Sequence, residues 1–189
     1  MAVEETIDSR RIYAGRILSL RVDSVRLANG QETKREIVEH GEAVAIVPVH
    51  ADGEVMLVRQ FRKPVEQALL EIPAGGIEPG EEPAEAARRE LQEETGLMAG
   101  RLQHLTTFYT TPGFSTEVMH LFLATELTNS RLPADDDEDI EIVRMPIDRA
   151  LGLAVNGPAS DAKTLVGLLM ARSMTTVAGH LPEAHQCGC

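Results

Sequence analysis

AGGIEPGEEPAEAARRELQEETGL, residues 74–97, opens on glycines and closes with Glu90, Glu93 and Glu94 crowded near one helical turn. Like charges three or four residues apart cost a helix about 0.2–0.5 kcal/mol per pair. The run therefore needs a reason. Pro83 suits the first turn of a helix and disfavours helical geometry at Glu82, while Gly96 suits the left-handed residue that ends one. The spacing predicts a helix over 83–95 with Ala84, Ala87 and Leu91 on its buried face. Glu90 and Glu94 fall on one margin of that face, Glu93 further round. Ala74-Gly75-Gly76 lets backbone come close to the helix or to a ligand, because glycine carries no Cβ. Carboxylates meeting backbone oxygens suit a hard cation such as Mg2+ or Mn2+, whose charge would relieve the repulsion. A solvated acidic face balanced by Arg88 and Arg89 is the bland alternative; the ordered spacing of glycine, glutamate and arginine argues against it.

Working outward, 189 residues suffice for one domain with a sizeable core or a domain plus a small appendage. With no Trp and 3% aromatic residues, aliphatic packing must supply that core. The net charge of −12 argues against nucleic-acid or anionic-membrane partners, which need basic surface. An anionic substrate must then be brought in by a metal or by a few local arginines. No stretch has signal-peptide or membrane-span character, and Cys187 and Cys189 offer no disulfide framework, so a cytoplasmic setting is expected. His180, His185, Cys187 and Cys189 resemble a metal set, but residues 177–189 are read as a disordered tail.

Residues 17–40 alternate around Asn29-Gly30, a hairpin signal. A second hairpin is expected from 42–50 and 54–61, whose apolar runs suit strands covered on both faces. Strands are expected at 69–73, 102–110, 117–127 and 141–145, and helices at 147–155 and 161–174, the last capped by Ser160. The result is an α/β (α+β) architecture: a mixed β-sheet sandwiched between helices. Residues 1–40 form an N-terminal antiparallel β-sheet subdomain and 41–176 the main domain. His104 and His120 need no special role.

Residues 75–97 resemble the signature box of the Nudix hydrolases. Gly75, five residues, Glu81, seven residues, then Arg89-Glu90-Leu91, Glu93-Glu94 and Gly96-Leu97 fill that pattern without departure. The resemblance implies the Nudix fold and metal-dependent cleavage of a nucleoside diphosphate linked to another group. It makes Glu90 and Glu94 metal ligands, the Ala74 carbonyl a third, and Glu93 either a further ligand or a base through water. More than one ion per site is implied. Gly75, Glu81 and Arg89 become structural, Arg89 orienting the carboxylates.

Outside the box, LLEIPAGGIEPGE, Pro112 and Arg59-Gln60-Phe61-Arg62 resemble the ADP-ribose pyrophosphatase branch, and GRILSLRVD and REIVEH its dimerising sheet. That likeness implies a homodimer that hydrolyses ADP-ribose or a related ADP-sugar to AMP and ribose 5-phosphate. Arg62 would meet substrate phosphate, Arg35 and Glu36 the adenosine end, Glu117 the ribose hydroxyls, and Gly113 the substrate beside Pro112. Arg35 and Glu36 could instead pair across strands. With no Trp, the adenine is left to Tyr13, Phe61, Phe114 or an aliphatic side chain. In ADDDEDI, Glu138 best fits a loop glutamate that holds or deprotonates the attacking water, with Asp137 and Asp139 as competitors. Alternative readings are the same chemistry on another nucleotide sugar such as GDP-mannose, the same chemistry on a dinucleotide, and a non-hydrolysing ADP-ribose sensor. The intact box glutamates disfavour the sensor.

Overall fold

The computed structural model describes residues 3–133, 140–157 and 160–178. Three strands, β1 (Glu5–Ala14), β2 (Leu18–Arg26) and β3 (Glu32–His40), form an antiparallel sheet in the order β1-β2-β3. Gly30, at φ 83°, makes the β2–β3 turn that the Asn-Gly pair predicts. The sequence reading did not delimit β1: ETIDSRRIYA lacks a clean apolar alternation, and every residue of it is exposed. The sheet joins the main domain through Val38, whose N–H donates to the Phe114 carbonyl (2.8 Å) and whose carbonyl accepts from Thr116 N–H (3.0 Å).

The main domain holds two further sheets. β4 (Ala43–Pro48), β7 (Ala74–Gly76), β8 (Leu97–Tyr109) and β9 (Val118–Asn129) form one, in the order β7-β4-β9-β8. Its β4–β9 pair is parallel and the others antiparallel. β5 (Glu54–Arg62), β6 (Gln67–Glu71) and β10 (Ile140–Pro146) form the other, in the order β10-β5-β6. The expected 42–61 hairpin is thereby corrected. β4 and β5 follow one another across Asp52-Gly53 but meet through a single Val49–Val55 bridge, then diverge into separate sheets. Both are apolar enough to be covered on two faces, which a simple hairpin ladder would not require.

Helix α1 (Pro83–Thr95) packs Ala86, Ala87 and Leu91 on Val44, Ile46, Phe122 and Ala124. Ala86 is fully buried and the expected Ala84 only partly so. On the opposite face, Ala45, Val47 and Leu121 meet Leu168 and Ala171 of α3 (Ala162–Ala178). α2 (Ile147–Asn156) lies beside α3 and adds Ile147 and Ala150 to that cluster. The four-stranded sheet is thus sandwiched between α1 and α3. Burying each Leu or Ile fully is worth about 1.5–3 kcal/mol. A Cβ on Gly167 would stand 2.8 Å from Ile72 Cδ1 and 2.9 Å from Val47 Cγ2, so a glycine there lets α3 lie close to the sheet.

Asp161, not Ser160, caps α3: its carboxylate accepts from Thr164 N–H (3.0 Å) and Thr164 Oγ1 (2.7 Å). The helix runs to Ala178, four residues beyond its expected end and two into the segment read as tail. The rest of that tail, with His180, His185, Cys187 and Cys189, lies outside the described residues, as does Glu138 with its competitors Asp137 and Asp139. Among the described residues no helix is long and apolar enough to cross a membrane.

Candidate active site

Ala74-Gly75-Gly76 is not the open loop expected but a short edge strand, with Gly75 opposite Val44 and Ala74 opposite Ala45. Helix α1 brings its carboxylates to this edge. Glu94, 4% exposed, accepts a hydrogen bond from Ala74 N–H at 3.0 Å. Glu90 occupies the space a side chain at position 75 would need: a Cβ there would lie 2.0 Å from the Glu90 carboxyl carbon. The glycine is required for this close approach. Gly75→Ala is therefore expected to displace the Glu90 carboxylate and lower turnover roughly 10–100-fold, the range for losing support of a metal-site ligand. Helix content by circular dichroism should stay unchanged, and full activity would show that Glu90 need not sit there.

Arg89 gathers the acids. Its Nε and Nη2 donate to the two Glu81 oxygens, each at 2.9 Å, and Nη2 also reaches the Gly76 carbonyl at 2.9 Å. Nη1 donates to Glu90 at 2.7 Å and to Glu93 at 3.0 Å. One guanidinium thus ties the loop, the strand and two helix carboxylates together. The hydrogen bond from Arg89 holds the Glu81 carboxyl below its ordinary range, and hydrogen bonds to Glu81 raise Arg89 in turn. This accounts for the like-charge run: an arginine inside the cluster offsets it before any ion arrives.

Among the described residues, no three acidic, histidine or cysteine side chains close around a metal by themselves. The donor chemistry nevertheless suits one. Glu90, Glu93 and Glu94 supply oxygen donors on one helix beside backbone, the set a hard divalent cation takes. Glu90 and Glu93 lean toward Arg89, and Ala74 meets Glu94 through its N–H.

A cavity of ≈490 Å3 opens at this strand edge, lined by Ala74, Gly75 and Gly76. Its other walls include Arg62, Glu71, Lys163 and Glu117. Arg62 is there, but not as a lone cation. Its Nε and Nη2 donate to the two oxygens of Glu71 at 2.9 and 2.8 Å, and Lys163 Nζ donates to the same carboxylate. Glu71 is 2% exposed. Burial alone would push its carboxyl up, but the Arg62 hydrogen bonds and the Lys163 charge outweigh that and hold it below the ordinary range. Glu117 accepts from Thr110 Oγ1 at 2.5 Å and stands 3.5 Å from His40 Nδ1.

The remaining expected residues lie apart. Arg35 pairs with Glu4 (3.0 and 2.6 Å), and Glu36 faces Val22 across the β2–β3 ladder. Neither lines the cavity in this chain, nor does Gly113. Sequence reasoning missed Glu71 and Lys163. The available signal was a lone acid inside the apolar run LLEIP, a position that demands a buried cation.

Residues 39–166 match the NUDIX domain family, and residues 4–38 match the nucleoside diphosphate sugar hydrolase N-terminal domain. The chain belongs to the Nudix family. It is 45% identical over 163 residues to an ADP-ribose pyrophosphatase of Bacillus subtilis, covering 85% of this chain and 88% of the relative. It is 40% identical over 167 residues to a methanol dehydrogenase activator of Bacillus methanolicus, covering 87% and 90%. Among solved structures, an ADP compounds hydrolase superposes with a TM-score of 0.84 at 26% identity, covering 94% of this chain and 97% of that one.

Proposed function

We propose that the protein hydrolyses the pyrophosphate bond of ADP-ribose, or of a related ADP-sugar, to AMP and ribose 5-phosphate with Mg2+ or Mn2+. The observation that carries this reading is the placement of Glu90 and Glu94 against Gly75 and Ala74, which line a cavity that Arg62 also lines. The similarity to an ADP-ribose pyrophosphatase supports the choice of substrate. Divalent ions, more than one per site, would be held by Glu90, Glu94 and the Ala74 carbonyl, and would neutralise pyrophosphate charge and lower the pKa of water.

The chain's own residues do the rest. Arg89 fixes the directions of Glu90 and Glu93, and Glu81 fixes Arg89. Arg62 offers its remaining N–H groups to phosphate oxygen while Glu71 holds the other edge of the guanidinium. Glu117, which lines the cavity, would accept from a ribose hydroxyl on this reading. Glu93 or Glu138 takes a proton from the attacking water as its oxygen bonds to phosphorus. The bridging oxygen leaves with the other phosphate. Arg35, Glu36 and Gly113 are further substrate contacts on this reading. The first two would act across a homodimer built on the N-terminal sheet, where Ile7, Ile12 and Tyr13 stand exposed.

Separate incubations with ADP-ribose, ADP-glucose, GDP-mannose and a dinucleotide, with products identified by mass spectrometry, test the substrate. ADP-ribose is expected to give the highest kcat/KM. A preference for GDP-mannose or the dinucleotide would replace ADP-ribose while keeping the chemistry, and tight binding of ADP-ribose without products would favour a sensor.

A further inference from the structure

Lys163 sits where a lysine is costly. It lies in the first turn of α3, where the helix dipole disfavours a cation, and its side chain is only 11% exposed. Two carboxylates hold it: Glu71, and Asp161 at 2.9 Å. Glu71 draws part of its charge stabilisation from Lys163, but neither carboxylate has Lys163 as its sole partner. Glu71 already receives two hydrogen bonds from Arg62, and Asp161 already receives the Thr164 N–H and hydroxyl while capping the helix. Without Lys163, each acid would still have its partners. The ion pair is a structural staple that also holds the ammonium at the cavity wall.

Its position offers a second use. Lys163 lines the same cavity as Arg62 and the Ala74–Gly76 strand. An ammonium has three N–H donors, and Glu71 and Asp161 engage two. Arg62 commits Nε and Nη2 to Glu71, which leaves its Nη1 edge. One buried carboxylate therefore fixes two cations side by side, each with donor capacity to spare. In a chain of net charge −12, such preorganised cations matter more for an anionic substrate than scattered surface lysines would.

We propose that Lys163 is a substrate-positioning residue that, together with the Nη1 edge of Arg62, binds non-bridging oxygens of the substrate pyrophosphate, the two cations being aligned by Glu71. This rests on the reading of the cavity as a pyrophosphate site. A charge-assisted hydrogen bond of this kind is present in both ground state and transition state, so its loss acts on binding rather than on the chemical step.

Kinetics of Lys163→Met and Lys163→Gln with ADP-ribose at saturating Mg2+ test it, alongside thermal melts. The expected result is a KM raised roughly tenfold or more, kcat within about threefold of wild type, and a flatter dependence of kcat/KM on salt. Melting temperatures should stay near that of the wild type in at least one variant. KM within twofold of wild type in a folded variant would overturn the proposal, as would a KM rise with an unaltered salt dependence. Should the wild type leave ADP-ribose intact, the functional reading fails on its own. Inorganic pyrophosphate titrated calorimetrically into wild type and Lys163→Met then decides: weaker binding by the variant supports the inference and equal affinity contradicts it.

Discussion

Replacing Glu94 by glutamine is expected to lower turnover at least about a hundredfold, equivalent to losing roughly 3 kcal/mol of transition-state stabilisation. The variant is informative because little else should change. Glutamine keeps the side-chain length and a carbonyl oxygen, so the hydrogen bond from Ala74 N–H can persist and α1 can stay docked on the β7 edge. What disappears is the negative charge beside Glu90, and with it, on the proposed function, the affinity for a hard cation. The Mg2+ concentration needed for half-maximal rate should rise, and the melting temperature should move by only a few degrees. Turnover within threefold of wild type would remove Glu94 from the metal site.

The second large effect concerns stability. Glu71 lies at the junction of β5, β6 and α3, with Arg62 and Lys163 on one buried carboxylate. Glu71→Ala leaves both cations facing each other across the gap. Breaking a buried pair costs about 3–5 kcal/mol, and the lower end applies because Arg62 is 39% exposed to the cavity. The same pair gives a pH signature. Because the folded protein holds Glu71 below its ordinary value of 4.5, this stabilisation is complete above that value and fades as pH falls through the lower folded value. Urea melts should therefore show wild type and Glu71→Ala well separated at pH 7 and converging as pH drops progressively below 4.5. A constant separation at all pH values would show that the loss comes from packing instead of charge.

How far the sequence alone carries depends on which interactions are local. Helix α1 could be bounded from Pro83 and Gly96 because both act on backbone geometry within one turn, and the structure starts and ends it there. The β2–β3 turn was readable from Asn29-Gly30 for the same reason. The partner of β4 was not. Its apolar run says that both faces are covered, but not that β9 lies parallel beside it while β5 turns away into another sheet. Nor could the short 74–76 strand be separated from a loop, since two of its three residues are glycine and its pairing is long-range.

The site divides in the same manner. The box residues fall within one strand, the short loop after it and one helix, so their spacing nearly specifies their geometry. The Arg62–Glu71–Lys163 cluster joins residues 9 and 92 positions from Glu71, and no periodicity links them. Arg62 was legible as a cation near phosphate only through resemblance; that it shares a carboxylate with Lys163 required the fold. The pairing of Arg35 with Glu4 escaped for a different reason, because β1 itself was not delimited.

Metal-dependent cleavage by the chain itself is read by following ADP-ribose with 31P NMR in the presence of the protein, first with excess EDTA and then after addition of Mg2+. The account predicts an unchanged pyrophosphate signal under EDTA, followed on adding Mg2+ by its loss and the growth of AMP and ribose 5-phosphate in equal amounts. A pyrophosphate signal that persists in Mg2+ or Mn2+, or that disappears equally fast under EDTA, would contradict it.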